Sequence, residues 1–159
     1  MEIIDNFLEK GQFSSVKNLM FSDKLEWYYE KHMVENDPGC FSHCFYDFNR
    51  IKSNFFENFE SILLKLEVKS LIKIRVNLYI SQKEIYESEW HEDFPYDNSK
   101  TAILYLNTCN GKTALKTKEG IKEVDSIENR MLVFPAKTEH KMISQTDTKR
   151  RIVVNFNYF

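Results

Sequence analysis

From residue 71 onward, apolar and polar positions alternate. In "LIKIRVNLYI" (71–80), Ile72, Ile74, Val76, Leu78 and Ile80 fall on one face and Lys73, Arg75, Asn77 and Tyr79 on the other. That period of two marks a half-buried strand. "TAILYLNT" (101–108), "RMLVFP" (130–135) and "RRIVVNFNYF" (150–159) predict further strands, and "TALKT", "IKEVD" and "HKMISQ" shorter ones. "CNGK" and "KEG" supply the reversals between them. Before residue 71 the chain reads mainly as helix with some loop. "NFFENFESILLKLEV" (54–68) spaces Phe55, Phe59, Ile62, Leu63 and Leu66 by threes and fours, the pattern of an amphipathic helix. "FSDKLEWYYEKH" (21–32) reads as another helix, with His32 at its end, where a cation meets the helix dipole favourably. "NDPGCFSHCFYDFN" (36–49) is a turn followed by an aromatic-rich strand or lid.

Helices first and then about eight strands with no helix between them predict an α+β, mainly β chain. Its architecture is an antiparallel barrel or double sheet covered on one side by the helices. One domain is expected over 1–159, with 1–70 a mainly helical buttress and 71–159 the β core, since this length supports one core and hardly two. The last strand repeats the division of faces: Ile152, Val154, Phe156 and Tyr158 against Arg151, Val153, Asn155 and Asn157. Two strands with polar faces opposite helix-packed ones suggest a polar-lined barrel mouth. A half-solvated sheet is the alternative.

Composition narrows the partners. The formal charge is −2 with both signs mixed, so no nucleic-acid partner is expected. Nothing approaches a membrane span, and the opening "MEIIDNFLEKGQF" lacks the form of a signal peptide. The odd set Cys40, Cys44 and Cys109 favours reduced thiols and a cytoplasmic location. Cys40 and Cys44 with His43 could contribute to a zinc site, but a lone C-x3-C is a weak motif and buried thiols are the preferred reading. The chain runs out on its last strand, and the oligomeric state stays open.

The candidate chemistry lies in "WHEDFPYDN" (90–98). His91 and Asp93 stand two apart, so an extended backbone aims both the same way. His140, at the start of a predicted strand, can join them. Two imidazoles and one carboxylate on one face of an ion leave its other positions open, which suits non-haem Fe(II). An isolated His-x-Asp is more often a surface pair. The context here is "TKRRIVVNFNYF", whose arginines follow His140 by about ten residues. A rigid guanidinium suits the far carboxylate of a dicarboxylate chelating the metal.

Together "WHED", "TEHK" and "TKRR" resemble the Fe(II)/2-oxoglutarate-dependent oxygenases, specifically the small prolyl-4-hydroxylase-like branch, over about residues 71–159. The resemblance implies a double-stranded β-helix (jelly roll, cupin-like) with the N-terminal helices packed on the larger sheet. It implies Fe(II) held by His91, Asp93 and His140, with 2-oxoglutarate as co-substrate, O2, and ascorbate as an optional addition. Tyr105 in "ILYLN" looks like the family's tyrosine that bonds the far carboxylate, and Tyr79 in "NLY" similarly faces the pocket. Face parity favours Arg151 as the co-substrate cation, with Arg150 the alternative. By the same parity Thr101, Ile103 and Tyr105 face the pocket while Ala102, Leu104 and Leu106 pack outward. The implied activity is hydroxylation of an unactivated C–H bond with release of succinate and CO2. The substrate would be a peptidyl proline, an amino acid or another small molecule. "YISQKEIYESEWH" (79–91) lacks the glycines many prolyl hydroxylases carry there, a departure in the loop expected to form part of the substrate entrance. Trp90 and Tyr86 are candidates for a substrate platform or for packing. The competing readings are a non-catalytic cupin-like metal- or ligand-binding domain and a cupin-type dioxygenase needing no 2-oxoglutarate.

Overall fold

The computed structural model describes residues 1–30 and 38–159. Eleven strands and two α-helices follow one another as β1 (Glu2–Ile4), α1 (Lys10–Phe21), β2 (Tyr28–Glu30), β3 (Cys40–Asp47), β4 (Arg50–Ile51), α2 (Glu60–Lys65), β5 (Leu71–Ile80), β6 (Lys100–Tyr105), β7 (Lys112–Thr117), β8 (Gly120–Asp125), β9 (Met131–Pro135), β10 (His140–Ile143) and β11 (Arg150–Tyr158). The larger sheet has the order β1-β9-β6-β11-β5-β3-β2, with β4 on β3; the smaller is β10-β7-β8. Every strand pair is antiparallel.

Alternation sorts the side chains into two cores. Ile74, Val76, Ala102, Leu104, Ile152, Val154 and Phe156 leave the larger sheet on one side and meet Phe13, Val16 and Met20 of α1 with Phe59 and Ile62 near α2. The three α1 residues recur at three- and four-residue spacings. Burying each contributes about 2 kcal/mol, which fixes an otherwise plain helix on the sheet. On the other side Ile103, Tyr105 and Val153 face Leu115 and Val124 of the smaller sheet. The result is a double-stranded β-helix with helices on the larger sheet, as expected. Among the described residues no helix is long and apolar enough to cross a membrane.

The first seventy residues are less helical than expected. The segment 54–68 forms a 3-10 turn (Phe56–Phe59) and the short α2. It stops because Glu67 turns left-handed (φ 54°), with Val68 N–H bonded to the Leu63 carbonyl and Glu67 N–H to that of Leu64. That pairing is a Schellman stop made without glycine. Residues 22–30 form no helix: α1 ends at Phe21 and the aromatic pair Tyr28-Tyr29 enters β2, held by backbone pairing to β3. The following aromatic-rich segment is β3 itself, inside the larger sheet between β2 and β5. His32, expected to close a helix, lies outside the described residues.

Candidate active site

Backbone pairing brings the two histidines together. Residues 86–91 run along the free edge of β10, with Ser88 N–H donating to the Met142 carbonyl at 2.9 Å. There His91 and His140 exchange both backbone hydrogen bonds, at 3.0 and 2.9 Å. Their ring centroids stand 4.4 Å apart. The chain then turns, Asp93 N–H donating to the Ala136 carbonyl at 3.2 Å. Asp93 Oδ1 comes to lie 4.0 Å from His91 Nε2 and 3.7 Å from His140 Nε2. One donor atom from each of these residues falls within 4.8 Å of the other two, the only such group of three among the described residues.

The surroundings prepare these groups as ligands. His140 Nδ1 is 2.9 Å from the Thr138 carbonyl and His91 Nδ1 3.2 Å from that of Glu89. A carbonyl only accepts, so each Nδ1 carries the proton and each Nε2 lone pair is left toward Asp93. Burial holds the His140 pKa below the usual imidazole value; the Asp93 carboxylate opposes this and His91 adds to it. His140 is therefore neutral, the form that binds a metal. Asp93 Oδ2 is occupied separately: Thr101 Oγ1 donates to it at 2.6 Å and Asn157 Nδ2 at 2.9 Å. Thr101 and Asn157 are direct cross-strand partners on β6 and β11. Their hold leaves Oδ1 as the oxygen facing the histidines. Parity alone had sent both residues toward the pocket without giving either a task.

These donors border a cavity of about 460 Å3 that descends between the sheets. Arg151 lies in its wall and is only 1% exposed. The guanidinium carbon rests 5.6 Å from the Tyr79 ring and 5.5 Å from the Tyr105 ring. Nη2 donates to Thr113 Oγ1 at 3.2 Å, and Nε has no hydrogen-bond partner. No carboxylate among the described residues forms an ion pair with it. A buried charge without a counter-ion costs several kcal/mol (roughly), so this cation fits an anionic ligand entering the cavity. Tyr79 lines the same wall, its hydroxyl pushed up to about 12, chiefly by burial, and so it remains a donor at neutral pH. Tyr105 is fully buried one layer back, where its hydroxyl donates to Thr113 Oγ1 at 2.9 Å. Burial raises its pKa too.

Other candidates are not part of this group. Arg150 points to the helix side, its guanidinium carbon 4.5 Å over the Phe21 ring. Trp90 is held between the ammonium groups of Lys116 and Lys141, at 4.9 and 4.7 Å, and neither it nor Tyr86 borders the cavity. His43 Nδ1 meets the Glu26 carbonyl at 2.7 Å, and Cys40, Cys44 and His43 form no metal-binding group.

No family model matches the chain, and no curated protein matches it. Solved structures do. A prolyl hydroxylase from Trichoplax adhaerens, in complex with a hypoxia-inducible-factor oxygen degradation domain peptide fragment, aligns with a TM-score of 0.71 at 17% identity over 99% of this chain and 82% of that one. An oxidoreductase of the 2OG-Fe(II) oxygenase family from Burkholderia pseudomallei aligns with a TM-score of 0.78 at 9% identity over 98% and 83%. The fold is that of the 2OG-Fe(II) oxygenases. A non-haem α-ketoglutarate-dependent epimerase from nogalamycin biosynthesis shares it as well, with a TM-score of 0.72 at 14% identity over 99% and 76%. One oxygenase fold thus carries different reactions, and the reaction has to be argued from the side chains.

Proposed function

We propose that the chain is an Fe(II)- and 2-oxoglutarate-dependent oxygenase in which a substrate C–H, O2 and 2-oxoglutarate give C–OH, succinate and CO2. The observation that carries this reading is a buried guanidinium without an acid partner, in a cavity whose rim holds three converging metal donors. His91, Asp93 and His140 would hold the iron, which when bound supplies O2 activation and the oxidising power. Thr101 and Asn157 keep Asp93 on one oxygen. Arg151 takes the far carboxylate of the co-substrate by charge-assisted hydrogen bonds, assisted by the Tyr79 hydroxyl and Thr113. Tyr105 acts through Thr113. Burial between the sheets excludes water and lets these bonds orient the co-substrate.

A non-catalytic cupin-like binding domain would be marked by loss of the cation or of one metal donor, and the chain keeps all of them; a dioxygenase independent of 2-oxoglutarate leaves Arg151 and Tyr105 without a task. Single-domain organisation over 1–159, ascorbate as an accessory reductant, a cytoplasmic location and a peptide or small-molecule substrate belong to this proposal. The test is succinate formation from 2-oxoglutarate with added Fe(II), together with thermal stabilisation of the Mn(II)-loaded protein by 2-oxoglutarate. Both are expected. No stabilisation and no succinate would overturn the reading.

A further inference from the structure

The floor shared by β5 and β11 has two ends. Its register pairs Tyr79 with Arg151, Asn77 with Val153, Arg75 with Asn155 and Lys73 with Asn157. Each step of two residues advances about 7 Å along the same face. The first end carries the co-substrate cation, and at the other Asn157 bonds Asp93. Arg75, Lys73 and Asn155 also line the cavity, and none of them has a part in the proposed hold on the metal or on 2-oxoglutarate.

These three are prepared for a ligand of their own. Arg75 is fixed from behind: Nη2 pairs with Glu30 at 2.7 Å and Nε donates to Asn77 Oδ1 at 2.8 Å. Lys73 has Asp47 at 3.7 Å. Neither acid borders the cavity, so both cations keep donors for whatever occupies it. Asn155, directly across from Arg75, has a buried carboxamide oxygen with no hydrogen-bond partner. A group that donates, beside one that accepts two cations, would satisfy the set. On the opposite lip Glu89 and Glu92 line the cavity and have no ion-pair partner among the described residues, whereas Lys141 there is neutralised by Glu87. The lip is therefore negative, over a floor whose two cations line the cavity while their acid partners lie outside it.

We infer that the prime substrate is a small zwitterion, a free α-amino acid, with its carboxylate on Arg75 and Lys73 and its ammonium at Asn155 under the field of Glu89 and Glu92. The inference rests on the oxygenase reading and names the substrate class of that same site. The cavity volume suits a co-substrate plus one such molecule. A prolyl residue within a peptide lacks both charges and would leave this floor unsatisfied.

Succinate release above the uncoupled background is measured with the common L-amino acids, with their N-acetyl and C-terminal amide forms, and with a proline-containing peptide. At least one free amino acid should stimulate turnover, and blocking either terminus should raise its KM about tenfold or more. Arg75→Gln and Lys73→Met should each raise that KM about tenfold, with KM for 2-oxoglutarate unchanged as the sign that the variants fold. Stimulation by the peptide or by blocked forms as strong as by any free amino acid overturns the inference. So does a response to none of the amino acids while 2-oxoglutarate still stabilises the Mn(II)-loaded protein. Loss of that stabilisation instead removes the oxygenase reading, and this inference with it.

Discussion

Gly111 tests the role of Arg151 without touching it. It is buried at the entry to β7, and its φ lies outside the left-handed region, so the backbone itself admits alanine. Space does not. A methyl group there would stand 2.9 Å from Arg151 Cδ, 3.1 Å from the Ile143 carbonyl oxygen and 3.3 Å from Gln145 Cβ. Carbon atoms rest about 3.5 to 4.0 Å apart, and the Ile143 backbone cannot retreat without disturbing β10. The Arg151 stem must then move by roughly 0.6 to 1 Å, carrying the guanidinium along the gap between Tyr79 and Tyr105. A charge-assisted hydrogen bond contributes about 1.5 to 3 kcal/mol. Losing one weakens 2-oxoglutarate binding by about tenfold to a hundredfold. The overpacking itself should cost about 1 to 3 kcal/mol of stability. Gly111→Ala should therefore raise the Kd for 2-oxoglutarate on the Mn(II)-loaded protein while leaving Mn(II) affinity near that of the parent chain. Titration followed by electron paramagnetic resonance for Mn(II), and thermal shift for 2-oxoglutarate, separates the two. A folded variant with unchanged 2-oxoglutarate affinity, or one losing both affinities together, would refute the reasoning.

Asp93→Ala should abolish metal binding; stoichiometric Fe(II) retained after gel filtration would contradict its place among the ligands. Asn157→Leu removes one of the two donors on Asp93 Oδ2 and should weaken Mn(II) binding about ten- to a hundredfold, whereas Thr101→Ser, which keeps its hydroxyl, should change it little. Arg150→Ala should leave 2-oxoglutarate affinity intact and lower stability by about 0.5 to 1 kcal/mol through loss of its contact with Phe21. Because burial lowers the His140 pKa, the unfolded chain accepts a proton there that the folded chain refuses. The metal-free protein should keep this contribution above about pH 6.5 and lose it as pH falls. His140→Phe should flatten that part of the Tm-against-pH curve.

β5 was readable because it keeps one face against the helix-side core and turns Lys73, Arg75, Asn77 and Tyr79 toward the cavity, whereas β6, buried on both faces, was readable as a short apolar run bounded by turns. Alternation survives where the two sides of a strand meet different surroundings. β3 hides from that rule. Cys40, Ser42, His43 and Phe45 are all buried, on both of its faces, so its aromatic-rich sequence shows no alternation and reads as either a strand or a lid. β2 is only three residues long and exists through its partner; Lys24, Glu26 and Glu30 in and before it favour a helix when read locally. The helix over 54–68 was legible as an amphipathic pattern, but the left-handed turn at Glu67 that ends it carries no glycine signal.

The candidate site divides along the same line. Which face a side chain takes is a local property of an extended chain, and the separation of Arg151 from Arg150 follows from it, whereas His140 reaches His91 only through the backbone pairing between them. What a side chain touches depends on register between strands. Asn157 meets Thr101, 56 residues away, only because β6 lies beside β11 in that alignment. Tyr105 shows both halves at once. Parity turns it inward, and it does point between the sheets. Its distance along β6, however, sets its hydroxyl against Thr113 of the smaller sheet, so Thr113 stands between it and the cavity. A threonine on β7 had nothing in its own neighbourhood to mark it. It acquires its place by accepting hydrogen bonds from both Tyr105 and Arg151, and such a shared acceptor exists only once two sheets have closed on each other.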